Sequence, residues 1–142
     1  MGKRIVLDTG PLGRIAHPQP NSEIVSWLEG KLDSSAMVFI PEIADYELRR
    51  NFLLEGLKAS VRRLDQLRDI LVYIPISSSA MREAADFWAM ARKQGRPTAP
   101  FEALDGDVIL AAQAHEVGAI IATENVGHLG LFVEARDWRE IQ

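Results

Sequence analysis

The chain has 142 residues and no cysteine. That absence excludes a disulfide framework, a thiolate zinc site and thiol catalysis. No apolar run approaches the roughly 18 to 20 residues needed to cross a bilayer. The first residues run directly into strand-like sequence, without the basic and then apolar pattern of a signal peptide. A cytoplasmic protein with no membrane contact is the expectation. Repeats, low-complexity stretches and linkers are also missing, so a single domain over 1–142 is expected. Hydrophobic residues at 47% and charged residues at 25% give a globular composition with enough chain for a sizeable core.

An excess of positive charge is lacking too. The formal net charge is −4, which taken globally argues against binding nucleic acid. Its distribution matters more. Between Arg49 and Arg68 stand six cations (Arg49, Arg50, Lys58, Arg62, Arg63 and Arg68) against Glu55 and Asp65, a local charge of +4. A smaller cluster, Arg92, Lys93 and Arg96, follows in "ARKQGR". Runs like these are ordinarily solvated helix faces.

The periodicity alternates between short apolar runs and helical patterns. "RIVL", "AMVFI", "ILVYIPI" and "AIIAT" read as strands, and "LFVEARDWREIQ" adds a last short one. Helices are expected from about Pro11, from an Asn21 or Ser22 cap, from Pro41 to about Asp69 with a break near Gly56, over "SSSAMREAADFWAMARKQG", and over "DVILAAQAHEVG". "RPTAPFEALDG" reads as a loop. Strands apolar on both faces and separated by helices form a parallel sheet covered on two sides. Ligands bind such sheets outside the carboxyl ends of the strands.

Asp8 follows "RIVL" directly and stands at such an end, as do Thr123 and Asn125 after "AIIA". Asp8 or Thr9 could simply cap the next helix, and Asn125 could be a turn residue. At about 100° per residue, Glu47 falls among Ile43, Ala44, Asn51 and Leu54, the more apolar arc of its helix, with Asp45 and Arg49 pointing elsewhere. A buried carboxylate needs a partner. Asp105 sits as a cap just before the last long helix, and Asp107 inside its first turn, where the helix dipole favours acids. Taken together, these carboxylates can converge on one sheet edge. Clustered carboxylates repel unless a cation joins them, and hard ions such as Mg²⁺ or Mn²⁺ take oxygen ligands.

"IVLDTGPL", "YELRR", "LDGDVILAAQA" and "IIATENVGHL" resemble, in order and spacing, the motifs of PIN domains, the nuclease fold of VapC-type toxins. The resemblance implies a three-layer α/β/α sandwich around a parallel sheet. It implies a divalent-metal-dependent endoribonuclease, typically the toxin of a type II toxin–antitoxin pair, with an RNA substrate, a cognate antitoxin and one or two Mg²⁺ or Mn²⁺ ions. By resemblance Asp8, Glu47 and Asp107 hold the metal, Asn125 completes the catalytic set, and Thr9, Thr123 and Asp105 support it. Arg49, Arg50, Arg62 and Arg63 are the RNA-backbone candidates. Two departures stand out. Asn125 replaces an acid that many members carry, and Glu124 offers a carboxylate beside it, though adjacent side chains in extended chain point apart. His128 stands where many members have an aspartate, and reads as a hydrogen-bonding surface residue.

The alternatives are a non-catalytic PIN module that binds RNA or a protein partner, a nucleotide-binding domain and a phosphatase. A G-x-G-x-x-G after the first strand is absent, which disfavours nucleotide binding. Gly10 stands where a phosphatase would need a second acid. Finally, Phe52, Leu53, Leu57, Val61 and Leu64 present more apolar surface than one helix pair needs to bury. Part of this strip is expected to form a homodimer face or an antitoxin groove.

Overall fold

A computed structural model describes residues 2–19, 21–95 and 104–142. Five strands form one all-parallel sheet in the order β3-β2-β1-β4-β5. They are β1 (Arg4–Leu7), β2 (Met37–Pro41), β3 (Val72–Ile74), β4 (Ile120–Thr123) and β5 (Ala135–Asp137). The helices are α1 (Thr9–Ala16), α2 (Ser22–Asp33), α3 (Glu42–Glu55), α4 (Lys58–Ile70), α5 (Ser78–Lys93), α6 (Leu104–Glu116) and the short α7 (Val126–Leu129). All five expected strands are present, including the last. Most of "RPTAPFEALDG", and Arg96 with it, lies outside the described residues.

Side-chain alternation along β1 explains the three layers. Ile5 and Leu7 face a cluster that includes Leu12, Ile15, Ile24, Leu48, Leu64 and Leu67, so α1 to α4 cover that side. Val6 faces Phe39, Leu110, Ala114, Ile121 and Leu129, under α6 and α7. Small residues, Ala80 and Ala84 against Val108 and Ala112, let α5 pack on α6. The fold is the α/β/α sandwich that the resemblance implies, built on the two-side-covered parallel sheet that the periodicity predicts.

Local chemistry sets the helix ends. Asn21 Oδ1 accepts from the Ile24 N–H, as expected of a cap. Gly56, at φ 71°, ends α3 in the left-handed conformation that glycine adopts without strain, and so makes the expected break before α4. At its start α3 has no side-chain cap of its own. Fully buried Gln113 of α6 fills that role: its Oε1 accepts from the Ile43 N–H at 3.2 Å, and its Nε2 donates to the Ile74 carbonyl at 2.8 Å. One amide side chain thus joins α6, the first turn of α3 and the end of β3.

Three sequence expectations need correction. Asp45 is not outside the buried arc; it is buried and pairs with Arg49 at 3.0 Å, and Arg49 reaches Asp65 of α4 at 2.8 Å. The arc that holds Glu47 is buried only in its first half. Ile43 and Ala44 are core, but Leu54 is 85% exposed, because the end of α3 has left the sheet behind. Leu64 belongs to the core and not to the exposed strip.

Candidate active site

The register of the sheet creates the site. Leu7 pairs with Ala122, so the residues that follow β1 and β4, Asp8 and Thr123–Asn125, emerge side by side at the carboxyl edge. The Asp8 N–H continues the ladder to the Ala122 carbonyl at 3.0 Å. Asp8 is the N-cap of α1, its Oδ1 accepting from the Thr9 N–H at 2.7 Å, so the structural role open to it in the sequence is real. Its Oδ2 accepts from the hydroxyl of fully buried Thr123 at 2.7 Å. That hydroxyl in turn accepts from the Asn125 N–H at 2.8 Å. The carboxylate is therefore held from two sides before any ligand binds.

Glu47 comes from α3 at the point where its buried face becomes solvent-exposed. Its Oε1 accepts from the Thr9 hydroxyl at 3.2 Å, and Arg50 approaches Oε2 at 3.9 Å. The first turn of α6 comes very close. A Cβ at Gly106 would lie 2.5 Å from Glu47 Oε2, so any larger residue there would displace the carboxylate. Gly106 makes this close approach possible, a role that its place between Asp105 and Asp107 in the sequence does not disclose.

Asp8, Thr9, Gly10, Glu47, Arg50, Asn51, Asp107, Asn125, His128 and Leu129 line one polar cavity of about 240 Å³. The structure thus brings together Asp8, Glu47, Asp107, Asn125, Thr9 and Arg50, and adds Asn51, which shares Glu47's arc of α3. Thr123 stands directly behind Asp8.

Other candidates lie elsewhere. Asp105 is exposed and inside α6 rather than ahead of it, so it is not the cap (α6 already includes Leu104). It faces a different cavity, with Met81, Trp88 and Ile109. Arg49 is committed to Asp45 and Asp65. Arg62 lines a groove between α3 and α4, and Arg63 is half-buried on α4. Glu124 turns to Arg14 of α1, 2.6 Å away, and does not line the acidic cavity. His128 lines the cavity but, among the described residues, its ring makes no hydrogen bond.

Burial is the main electrostatic fact. It pushes the Asp8 carboxyl above the usual range, against the lowering effect of its Thr123 and Thr9 hydrogen bonds, with the Glu124 charge adding to the rise. Glu47 is also raised, by burial first. The Thr9 hydrogen bond and Arg50 oppose the rise, and the Asp8 charge adds to it. The two carboxylates feel each other. Among the described residues no three carboxylate, imidazole or thiol groups stand close enough to hold one metal ion together. The cavity's acidic wall nevertheless presents carboxylate oxygens, from Asp8, Glu47 and Asp107. Oxygen donors of this kind suit a hard divalent cation.

The family model of the PIN domain matches residues 5–128, and the chain belongs to that family. Solved structures agree on the fold. A VapBC2 structure from Rickettsia felis, bound to a DNA fragment from its promoter, superposes with a TM-score of 0.78 at 16% identity, covering 94% of this chain and 97% of that one. VapBC-1 from nontypeable Haemophilus influenzae gives 0.73 at 17% identity, covering 96% and 99%. FitAcB from Neisseria gonorrhoeae gives 0.67 at 24% identity, covering 96% and 99%. No curated protein sequence matches this one at a significant level.

Proposed function

We propose that this PIN domain is a divalent-metal-dependent endoribonuclease, the toxin of a type II toxin–antitoxin pair. The observation that carries the reading is the convergence of Asp8, Glu47, Asp107 and Asn125 on one cavity at the carboxyl edge of the sheet. Asp8, Glu47 and Asp107 would hold Mg²⁺ or Mn²⁺ with water completing the ligand shell, since no three of the described groups close on one ion by themselves. Such an ion supplies charge neutralisation and an activated water for phosphodiester hydrolysis.

The chain's own groups have separable tasks. Thr123 and the Thr9 N–H hold the Asp8 carboxylate, and the Thr9 hydroxyl holds Glu47. Asn125 presents an uncharged amide to the cavity, able to orient a water or a phosphate oxygen without adding repulsion. Arg50, the one cation on the cavity wall among the described residues, stacks on Tyr46 at 5.1 Å and would meet an RNA phosphate. Asp105 is left with no part in this scheme beyond the surface charge of α6.

An exposed apolar groove supports the toxin reading. Leu53, Leu54 and Leu57 are 63%, 85% and 43% exposed. Phe52, Leu53, Leu57, Val61 and Arg62 line a groove of about 320 Å³ between α3 and α4. By the VapC-type resemblance, a cognate antitoxin is the partner this groove suits. Such a pair would act in the cytoplasm.

The test is RNA cleavage by purified protein with Mg²⁺ or Mn²⁺, with and without a chelator. Cleavage that needs the metal and is lost in Asp8→Asn is the expected result. Tight RNA binding without cleavage under any of these conditions would favour the non-catalytic module instead.

A further inference from the structure

The chain has three histidines, and two are occupied. His17 Nδ1 meets the backbone of Gln19 at 3.1 Å, and His115 Nδ1 pairs with Glu83 at 2.8 Å. The third, His128, is exposed and, among the described residues, its ring has no hydrogen-bond partner. It is also the one that lines the acidic cavity, beside Asp8, Glu47, Asp107 and Asn125. Its backbone is not free: α7 is held by the His128 N–H on the Asn125 carbonyl at 3.2 Å and by buried Leu129 in the core. A fixed helical turn thus presents an uncommitted imidazole to the cavity.

Resting on the nuclease reading, we infer that His128 is a catalytic residue that donates a proton to the leaving ribose oxygen. Hydrolysis of an RNA phosphodiester is accelerated by such a donor, because an alkoxide is a poor leaving group. Water adds its oxygen to phosphorus and gives up a proton to solvent. The P–O bond to the leaving oxygen breaks, and an imidazolium N–H passes its proton to that oxygen. The ring then regains a proton from solvent, and the cycle balances. Imidazole suits the task because it commonly exchanges protons near neutral pH. The cavity's other described groups do not. Three are carboxylates with a different role, Arg50 does not release a proton, and the amides and Thr9 are too weakly acidic.

The measurement compares two substrates. RNA has a leaving group that a proton helps to depart; bis(4-nitrophenyl) phosphate has one that leaves readily without it. In Mn²⁺, His128→Gln should lower RNA cleavage by about 10²- to 10⁴-fold, while its rate on the nitrophenyl diester stays within about threefold of wild type. The ratio of the two rates is independent of the folded fraction, and His128→Ala should shift it in the same direction. Equal losses on both substrates would reduce His128 to a positioning or binding role, and undiminished RNA cleavage would remove it from the reaction; either result overturns the inference. Wild-type protein inactive on both substrates would overturn the nuclease reading itself.

Discussion

Gly106 shows how much one missing atom can decide. Within a helix, glycine costs up to about 1 kcal/mol relative to alanine. A methyl group here, however, would meet the end of Glu47, a flexible side chain that can move aside. Gly106→Ala should therefore leave the melting temperature unchanged or raise it, yet lower metal-dependent RNA cleavage by tenfold or more, on the order of the 1.4 kcal/mol that tenfold represents. Thermal melting and initial rates on one preparation check both halves. Asp107→Asn makes the complementary case. Cleavage should fall by roughly 10²-fold or more, because the ion contributes several kcal/mol to such a transition state. Added Mg²⁺ should stabilise the wild type more than the variant, by mass action. A variant that unfolds readily without metal would mark Asp107 as a structural cap instead.

Among the elements, α3 carries the most responsibility, and its two ends are held differently. At its start Glu42 accepts from the Tyr73 hydroxyl and from the Ile76 N–H, each at 2.9 Å, which ties the helix to the end of edge strand β3. Burial, the Glu42 hydrogen bond and the nearby acidic charges push the Tyr73 phenol up to about 12, with Arg68 above its ring opposing them. The sign follows from linkage. A phenol that holds its proton more tightly when folded stabilises the fold fully below its unfolded value near 10. That contribution is lost as pH rises from about 10 towards 12. Melting curves across this range should show the wild type losing stability faster than Tyr73→Phe. Parallel curves would mean that the Tyr73–Glu42 contact contributes little. The middle of α3 is joined to α4 by Arg49, through Asp45 and Asp65, so a cation that reads as an RNA contact in the sequence is a clamp between helices.

At the level of the whole molecule, charge and apolar surface are both unevenly distributed. The net charge is −4, while the segment from Arg49 to Arg68 is locally basic and carries exposed leucines at its turn. Leu57 is 43% exposed, so Leu57→Asp should fold normally. If the strip is a protein-binding face, sedimentation at micromolar concentration should show the wild type as a dimer, or as a complex with the proposed antitoxin. The substitution should weaken either assembly at least tenfold. A monomeric wild type together with an unfolded Leu57→Asp would mean that the strip is core. RNA affinity measured at two salt concentrations should show the same weak salt dependence in both proteins if Arg50 rather than the strip meets the backbone.

The alternation of apolar runs and helical patterns determined the parallel sheet, because strands buried on both faces must be apolar throughout. With the sheet given, Asp8 and Asn125 had to emerge at its carboxyl edge, since each directly follows or nearly follows a strand. The motif order was enough to bring Glu47 and Asp107 to the same place. What lay beyond the sequence were matters of depth and approach. Helical periodicity gives the direction of a side chain but not where the helix leaves the core, so Asp45 was placed outside and Leu54 inside, the reverse of their positions. Nor can one-dimensional spacing show that α6 approaches α3 closely enough to require Gly106, or that Gln113 caps a helix 70 residues away in sequence. Such contacts join elements that are distant along the chain, and only the packing of the tertiary structure decides them.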